Sequence, residues 1–269
     1  MKRNADIGLL RSPQIQWVKR RERFMEAIYY QIFEALPRQG PGDSAATRRA
    51  FQSIGHLPAR ACILDVGCGA GMQTIDLARL SNGRIFALDN HRPFLATLRQ
   101  HARQAGIGAG INSVQGDMTE MPFAAGSFDL IWSEGAAYFL GLENALAQWR
   151  GLLRPGGFVV ISHVAWFKVD PPPALRAFWE EEFPEIDTDA GNQAAIAGAG
   201  YTLVNHFVLA PEAWWPHYYR PMAAVIAAMR GQYAENEAVQ TILAAFEREI
   251  DMHRRHGDYY GYYFYVMRS

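Results

Sequence analysis

Asp65-Val66-Gly67-Cys68-Gly69-Ala70-Gly71 stands directly behind the apolar run Ala61-Cys62-Ile63-Leu64 and directly ahead of a helix-like stretch that begins at Met72. Strand, glycine-rich loop and helix in this order make a corner where backbone can come close to a ligand, because glycine has no Cβ to hold it away. Amides at the start of the helix then point at whatever the loop cradles. A pyrophosphate suits such a site, and so does a carboxylate. The dinucleotide fingerprint G-x-G-x-x-G needs its third glycine at position 72, which is Met72; the third glycine comes one residue early, at Gly71.

The 269 residues suit one large α/β domain with an added cap. A formal net charge of −1 gives no overall field favouring nucleic acid or an anionic membrane. The dense basic run Lys19-Arg20-Arg21-Glu22-Arg23 reads as a solvated helix face. Cys62 and Cys68 lie in or beside the glycine loop, where a disulfide would strain the turn, so reduced thiols and a cytoplasmic location are expected. Charges at Lys2, Arg3, Asp6, Arg11 and Lys19 leave no room for an apolar signal core. No stretch approaches the roughly 20 apolar residues of a membrane span.

Apolar residues at Met25, Ile28, Tyr29, Ile32, Phe33 and Leu36 recur at helical spacing until Pro37 ends the pattern. The turn formers Arg38-Gln39-Gly40-Pro41-Gly42 follow, then a weaker helix over 45–54. From residue 61 strands (61–66, 84–89, 112–115, 128–133, 157–163) alternate with helices (72–80, 93–104, 143–153). That order implies a parallel sheet with right-handed crossovers. Beyond Trp166 the chain becomes rich in Pro, Trp and Tyr, with helical patterns over 174–182 and 192–199 and a strand over 201–209. A helix from Pro221 to near Gly231, a second marked by Val239, Ile242, Leu243, Phe246 and Ile250, and a last strand at Tyr262-Tyr263-Phe264-Tyr265-Val266 complete the pattern.

Asp89 ends the second strand, 24 residues after Asp65. It either caps the next helix or accepts from the vicinal hydroxyls of a ribose. Asp117, in Gly116-Asp117-Met118 after the third strand, either closes an Asx turn or accepts from the amine of an adenine. Ser127-Phe128-Asp129-Leu130-Ile131-Trp132-Ser133-Glu134-Gly135 gives a fourth strand that opens into a loop of small residues.

Together these segments resemble the class I S-adenosylmethionine (SAM) methyltransferases, in their ubiquinone/menaquinone-type, small-molecule branch. Arg38-Gln39-Gly40-Pro41-Gly42 with Thr47-Arg48, Ile131-Trp132-Ser133-Glu134-Gly135-Ala136-Ala137-Tyr138 and Tyr259-Tyr260-Gly261-Tyr262 look like a subgroup of bacterial members, over nearly the whole chain from about residue 24. The resemblance implies a Rossmann-like α/β fold: a seven-stranded, mostly parallel sheet with an antiparallel last strand at 262–267, plus a helical cap. A single domain over 1–269 is expected, with an N-terminal helical cap (1–55), a SAM-binding core (56–165), cap helices and a strand (166–258) and the last strand (259–269).

The resemblance also implies SAM as cofactor, with Gly67 and Gly69 at its methionine part, Asp89 on the ribose and Asn90 beside the adenine. Asp117 and Met118 would bracket the adenine edge. The Glu134 segment would offer a carbonyl to the amino group, and Arg38-Gln39-Gly40 would close over the carboxylate. Asp65, Gly71 and Gln73 complete the expected cofactor set.

Methyl transfer from a sulfonium asks the protein for alignment and a dry pocket, and requires no metal or covalent nucleophile. Where the acceptor must lose a proton, His163 is the first candidate base, at a position where relatives are expected to carry an acidic residue; Glu134 and Tyr138 come next. A structural His163 is the alternative. Tyr29, Tyr138, Trp166, Trp215, Tyr218 and Tyr260 are the expected substrate wall, with Trp214 and Tyr219 beside them, since aromatic faces suit a sulfonium or a methylated amine. Ser133-Glu134-Gly135 stands where enzymes that methylate nucleic-acid bases often carry Asn-Pro-Pro-Tyr. The expected function is methylation of a small aromatic or amine-containing metabolite, with no nucleic-acid or membrane partner and a homodimer left open. A SAM-binding protein without catalysis and an NAD-dependent oxidoreductase are the alternatives.

Overall fold

The computed structural model describes residues 13–269, with side chains from Arg23 onward. The charges at Lys2, Arg3, Asp6 and Arg11, and the side chains of Lys19, Arg20, Arg21 and Glu22, lie outside the described residues. Helices α1 (Pro13–Glu34) and α2 (Ser44–Gln52) precede the sheet. The second begins on Asp43, whose carboxylate accepts from the Ala46 amide at 2.7 Å and so supplies one of the partners a helix start lacks.

An alternation of β1 (Cys62–Val66), α3 (Met72–Leu80), β2 (Arg84–Asp89), α4 (Arg92–Gln104), β3 (Ile111–Gln115), β4 (Phe128–Glu134), α5 (Leu142–Leu152) and β5 (Leu153–Trp166) follows. The remainder comprises α6 (Pro173–Glu182), β6 (Asp187–Thr188), α7 (Asp189–Gly198) and β7 (Thr202–Val208). A 3-10 turn (Pro211–Trp214) and a π-helix (Trp215–Tyr219) then lead into α8 (Arg220–Gln232), α9 (Glu237–His256) and β8 (Tyr260–Arg268).

The strand order is β3-β2-β1-β4-β5-β8-β7. Strands β3 to β5 are parallel, and β8 lies antiparallel between β5 and β7. This is the expected seven-strand path. The two-residue β6 adds an eighth strand off it, paired with Ala165 and Trp166. Strand β5 starts at Leu153, earlier than the expected start at residue 157, and the register shift between Phe128 and Leu130 leaves the irregular stretch before Phe158 as a bulge within β5.

Neighbouring strand residues feed opposite faces, as pleating requires. Ile63, Leu130 and Val160 pack with Ile32, Met222 and Leu243 from α1, α8 and α9. Leu64, Ile131 and Val159 pack with Leu146, Trp149 and Ile196 from α5 and α7. Between β1 and β4 the strand order reverses, so the chain leaves the two carboxyl ends in opposite directions and opens a crevice there.

Candidate active site

A cavity of about 710 Å³ occupies that crevice and runs from the glycine loop to a chamber lined by downstream helices. At the loop, Gly67 and Gly71 have φ of +68° and +83°, values that glycine adopts without penalty. A Cβ on Gly67 would stand 2.4 Å from the Cβ of Ala136, and one on Gly71 would stand 2.1 Å from Leu98 Cδ1. Gly67, Gly69, Gln73, Asp89, Asn90, Asp117 and Met118 line this end, while Asp65 and Gly71 stand behind the lining. Asp65 is fully buried and accepts from Thr74 Oγ1 at 2.5 Å, which ties the strand end to the first turn of α3. Burial pushes its carboxyl up to about 7, against the hydrogen bonds from Thr74 and Gln73.

Asp89 accepts from the Gly69 amide at 2.9 Å through Oδ2 and from the His91 amide at 2.8 Å through Oδ1. It therefore shapes the loop and starts α4 while still lining the cavity. Asp117 makes the Asx-type turn, with Oδ1 accepting from the amide and hydroxyl of Thr119 at 2.8 Å each, and these bonds hold its carboxyl below the ordinary range. It stands exposed at the rim.

Glu134 is bonded through both carboxylate oxygens. Its carboxylate receives Arg38 Nη2, Thr47 Oγ1 at 2.8 Å and Trp132 Nε1 at 2.8 Å. Pairing with a buried guanidinium requires such full satisfaction, since an unpaired buried charge is costly. Arg38 is only 4% exposed, and its Nε and Nη1 are buried without any hydrogen-bond partner. Two orphaned guanidinium donors in the cavity lining fit an anionic ligand group there. Gln39 next to it accepts from the Ala70 amide at 2.7 Å and donates to the Phe33 and Leu36 carbonyls at 3.1 and 3.2 Å. Gly40 completes the segment.

The far chamber is aromatic. Tyr29, Tyr138 and Tyr218 of the expected wall line it, with Trp179, Phe183, Trp214, Tyr219, Phe246 and Tyr262. Trp166, Trp215 and Tyr260 do not. Trp166 and Tyr260 pair across β5 and β8 two rungs beyond Val164 and Tyr262, and Trp179 covers that rung, with its ring 6.3 Å from Trp166 and 4.8 Å from Tyr260. Trp215 is rotated away by the helical turn that points Trp214 inward, and lies under Arg254.

The three candidate bases sit in different surroundings. His163 shares its strand face with Val159 and Ile161, is 3% exposed and does not line the cavity; burial pushes its imidazole down to about 4. Glu134 already accepts from three donors, Thr47 and Trp132 on Oε1 and Arg38 on Oε2. Tyr138 lines the chamber, but burial raises its phenol well above the ordinary value, so it holds its proton.

A carboxyl that pattern reading passes over lies in the chamber instead. Glu249 of α9 accepts from Tyr219 at 3.0 Å and Tyr218 at 3.3 Å, and burial pushes it up to about 7. Its sequence signal is an acidic residue three positions after Phe246 and beside Ile250, on the apolar stripe of that helix.

The fold is one that S-adenosylmethionine-dependent methyltransferases share. Residues 64–161 match a family model described as a methyltransferase domain. Over 158 residues the chain is 32% identical to a malonyl-[acyl-carrier protein] O-methyltransferase of Enterobacter lignolyticus, covering 57% of this chain and 59% of that protein. Over 160 residues it is 26% identical to a sterol 24-C-methyltransferase of Gibberella zeae, covering 55% and 41%. The chain thus spans about half the length of the curated relatives it matches. A SAM-dependent methyltransferase of Geobacter sulfurreducens, solved with S-adenosyl-L-homocysteine, superposes with a TM-score of 0.76 at 17% identity over 90% of this chain and 97% of that one, which establishes a shared fold. Among the described residues no helix is long and apolar enough to cross a membrane.

Proposed function

We propose that the chain methylates a small metabolite with an aromatic or amine-containing body, using S-adenosylmethionine. One observation carries the reading: the polar loop end and the aromatic chamber are parts of one continuous cavity of about 710 Å³. When bound, S-adenosylmethionine supplies a methyl group on a sulfonium, which an acceptor takes by in-line displacement.

The orphaned Nε and Nη1 of Arg38 would hold the cofactor carboxylate, with its charge already balanced on the other side by Glu134. Gly67 and Gly69 leave room for the methionine part, Asp89 would take the ribose hydroxyls, and Asn90, Asp117 and Met118 would flank the adenine. The aromatic wall excludes water and aligns the acceptor, and positioning of this kind is worth about 7–11 kcal/mol of barrier. No group with a catalytic proton is needed at the loop end. Kinship with the ubiquinone/menaquinone-type branch, a cytosolic setting, function as a single domain and action on metabolites instead of nucleic acid belong to the same proposal; the free Cys62 and Cys68 support the cytosolic setting and the aromatic cavity supports a small acceptor.

Calorimetric titration with SAM, followed by a labelled-methyl screen over amines, phenols and quinols, tests it. Binding lost in Asp89→Ala together with transfer to at least one acceptor class is the expected result. Absence of SAM binding would sink the proposal; binding without transfer to any class would leave a cofactor-binding protein in its place.

A further inference from the structure

The chamber's charge pattern narrows the acceptor further. Among the described lining residues Arg38 is the sole cation, and Glu134 already pairs with it. Among the described residues the chamber end is lined by no cation but holds Glu249 and Glu182. Both tyrosine donations to Glu249 reach Oε1, so Oε2 is the oxygen left for a ligand. Aromatic side chains line the same cavity, among them Tyr29 on α1, Tyr138 after β4, Trp214 before the π-helix and Tyr262 on β8.

We infer that this chamber takes a small molecule carrying a protonated amine on an apolar body, with the ammonium against Glu249 Oε2 and the ring faces. The inference rests on the methyltransferase reading and names its substrate class. A carboxylate enclosed by protein without a cation is costly to keep charged, whereas an ammonium supplies the partner and is itself attracted to aromatic faces. A carboxylate ligand would meet two like charges instead, and an alcohol would gain a hydrogen bond but no charge pairing.

Binding is therefore coupled to a proton. Burial first, and then the charge of Glu182, raise the Glu249 carboxyl to about 7. Its other neighbours stay put near neutrality. The phenols of Tyr29, Tyr138, Tyr218 and Tyr219 are raised by burial, as are Tyr260 and Tyr262 of β8. His253, one turn along α9 and stacked on Trp214 at 4.1 Å, is pushed down to about 4 by burial. An arriving ammonium favours the carboxylate, so below neutrality its binding releases a proton from Glu249.

Full-length chain loaded with S-adenosylhomocysteine is titrated by calorimetry with phenethylamine, phenethyl alcohol and phenylacetate at about pH 6, in two buffers of different ionisation enthalpy. The amine is expected to bind roughly tenfold or more tightly than the alcohol, a difference of about 1.4 kcal/mol, with phenylacetate weakest and with proton release on amine binding alone. Glu249→Gln should bind S-adenosylhomocysteine as the parent does yet lose both the amine preference and the proton release; Glu182→Gln should weaken the preference in the same direction. Equal affinity for the three probes, no binding of the amine, or an amine preference that survives Glu249→Gln overturns the inference. Failure to bind S-adenosylhomocysteine with the amine preference intact would instead overturn the methyltransferase reading and leave the amine site standing.

Discussion

The two ends of the cavity are built by different means. At the loop end the groups come from the carboxyl ends of β1 to β4 and the few residues after them, with Arg38, Gln39 and Gly40 added from the turn after α1, and much of the bonding uses backbone amides: Gly69 and His91 to Asp89, Ala70 to Gln39. At the chamber end the groups are side chains drawn mostly from α1, α6, the π-helix, α9 and β8, with Tyr138, Val164 and Trp214 from other segments, spread from Tyr29 to Tyr262. On the proposed reading the cofactor is held at the sheet's strand ends and the acceptor largely by the added helices. The relatives' names fit that division, with one acting on a malonyl-carrier and another on a sterol.

Breaking the loop end should give the largest effect. Arg38→Met leaves Glu134 buried without its cation, which costs about 3–5 kcal/mol. Urea unfolding should show this loss together with abolished SAM binding; an unchanged midpoint would mean that the pair does not hold this end. Gly67→Ala comes next. Strain at one such residue is of order 1–3 kcal/mol, so SAM affinity should fall by up to about a hundredfold. Near-UV circular dichroism of the chamber's tryptophans should stay as in the parent, and a change there would show that the two ends are not separable.

A smaller effect concerns pH. Because Glu249 titrates at about 7 in the folded chain, above the unfolded value of about 4.3, its contribution to stability is fully present below the unfolded value and is lost as pH rises through the folded one. Buried His163 and His253, pushed down to about 4, act oppositely: their contribution is present above about 6.5 and lost on acidification. Glu249→Gln should thus gain stability relative to the parent between about pH 5 and 8, read by thermal unfolding. A constant difference across that range would mean that the carboxyl is not the buried titrating group described here. The smallest expected effect is that of His163→Asn, which should leave the pH profile of turnover unaltered, since the ring neither lines the cavity nor charges near neutrality.

The same division decides what is legible in the sequence. The glycine spacing, Asp89 and Glu134 stand at fixed offsets from strand ends, and strands announce themselves by apolar runs, so the fold and the loop end can be read from the chain. His163 could have been placed by counting alternate residues from Val159. The chamber resists because rung and rotation matter more than residue type. Val164 and Tyr262 line it while Trp166 and Tyr260, on the same strands, are covered by Trp179. The π-helix adds a residue to its turn and so shifts the helical phase across Trp215–Tyr219, which brings both Tyr218 and Tyr219 to one oxygen of Glu249. Simple 3.6-residue periodicity does not announce that shift.

Gln39 has a mechanical consequence. Its single amide joins the last turn of α1, through the Phe33 and Leu36 carbonyls, to the Ala70 amide in the glycine loop. The helix that contributes Tyr29 and Phe33 to the acceptor wall thus cannot swing outward without depriving the loop of an acceptor. Entry to the chamber and the shape of the cofactor cradle are geared together, and the gear is one side chain long.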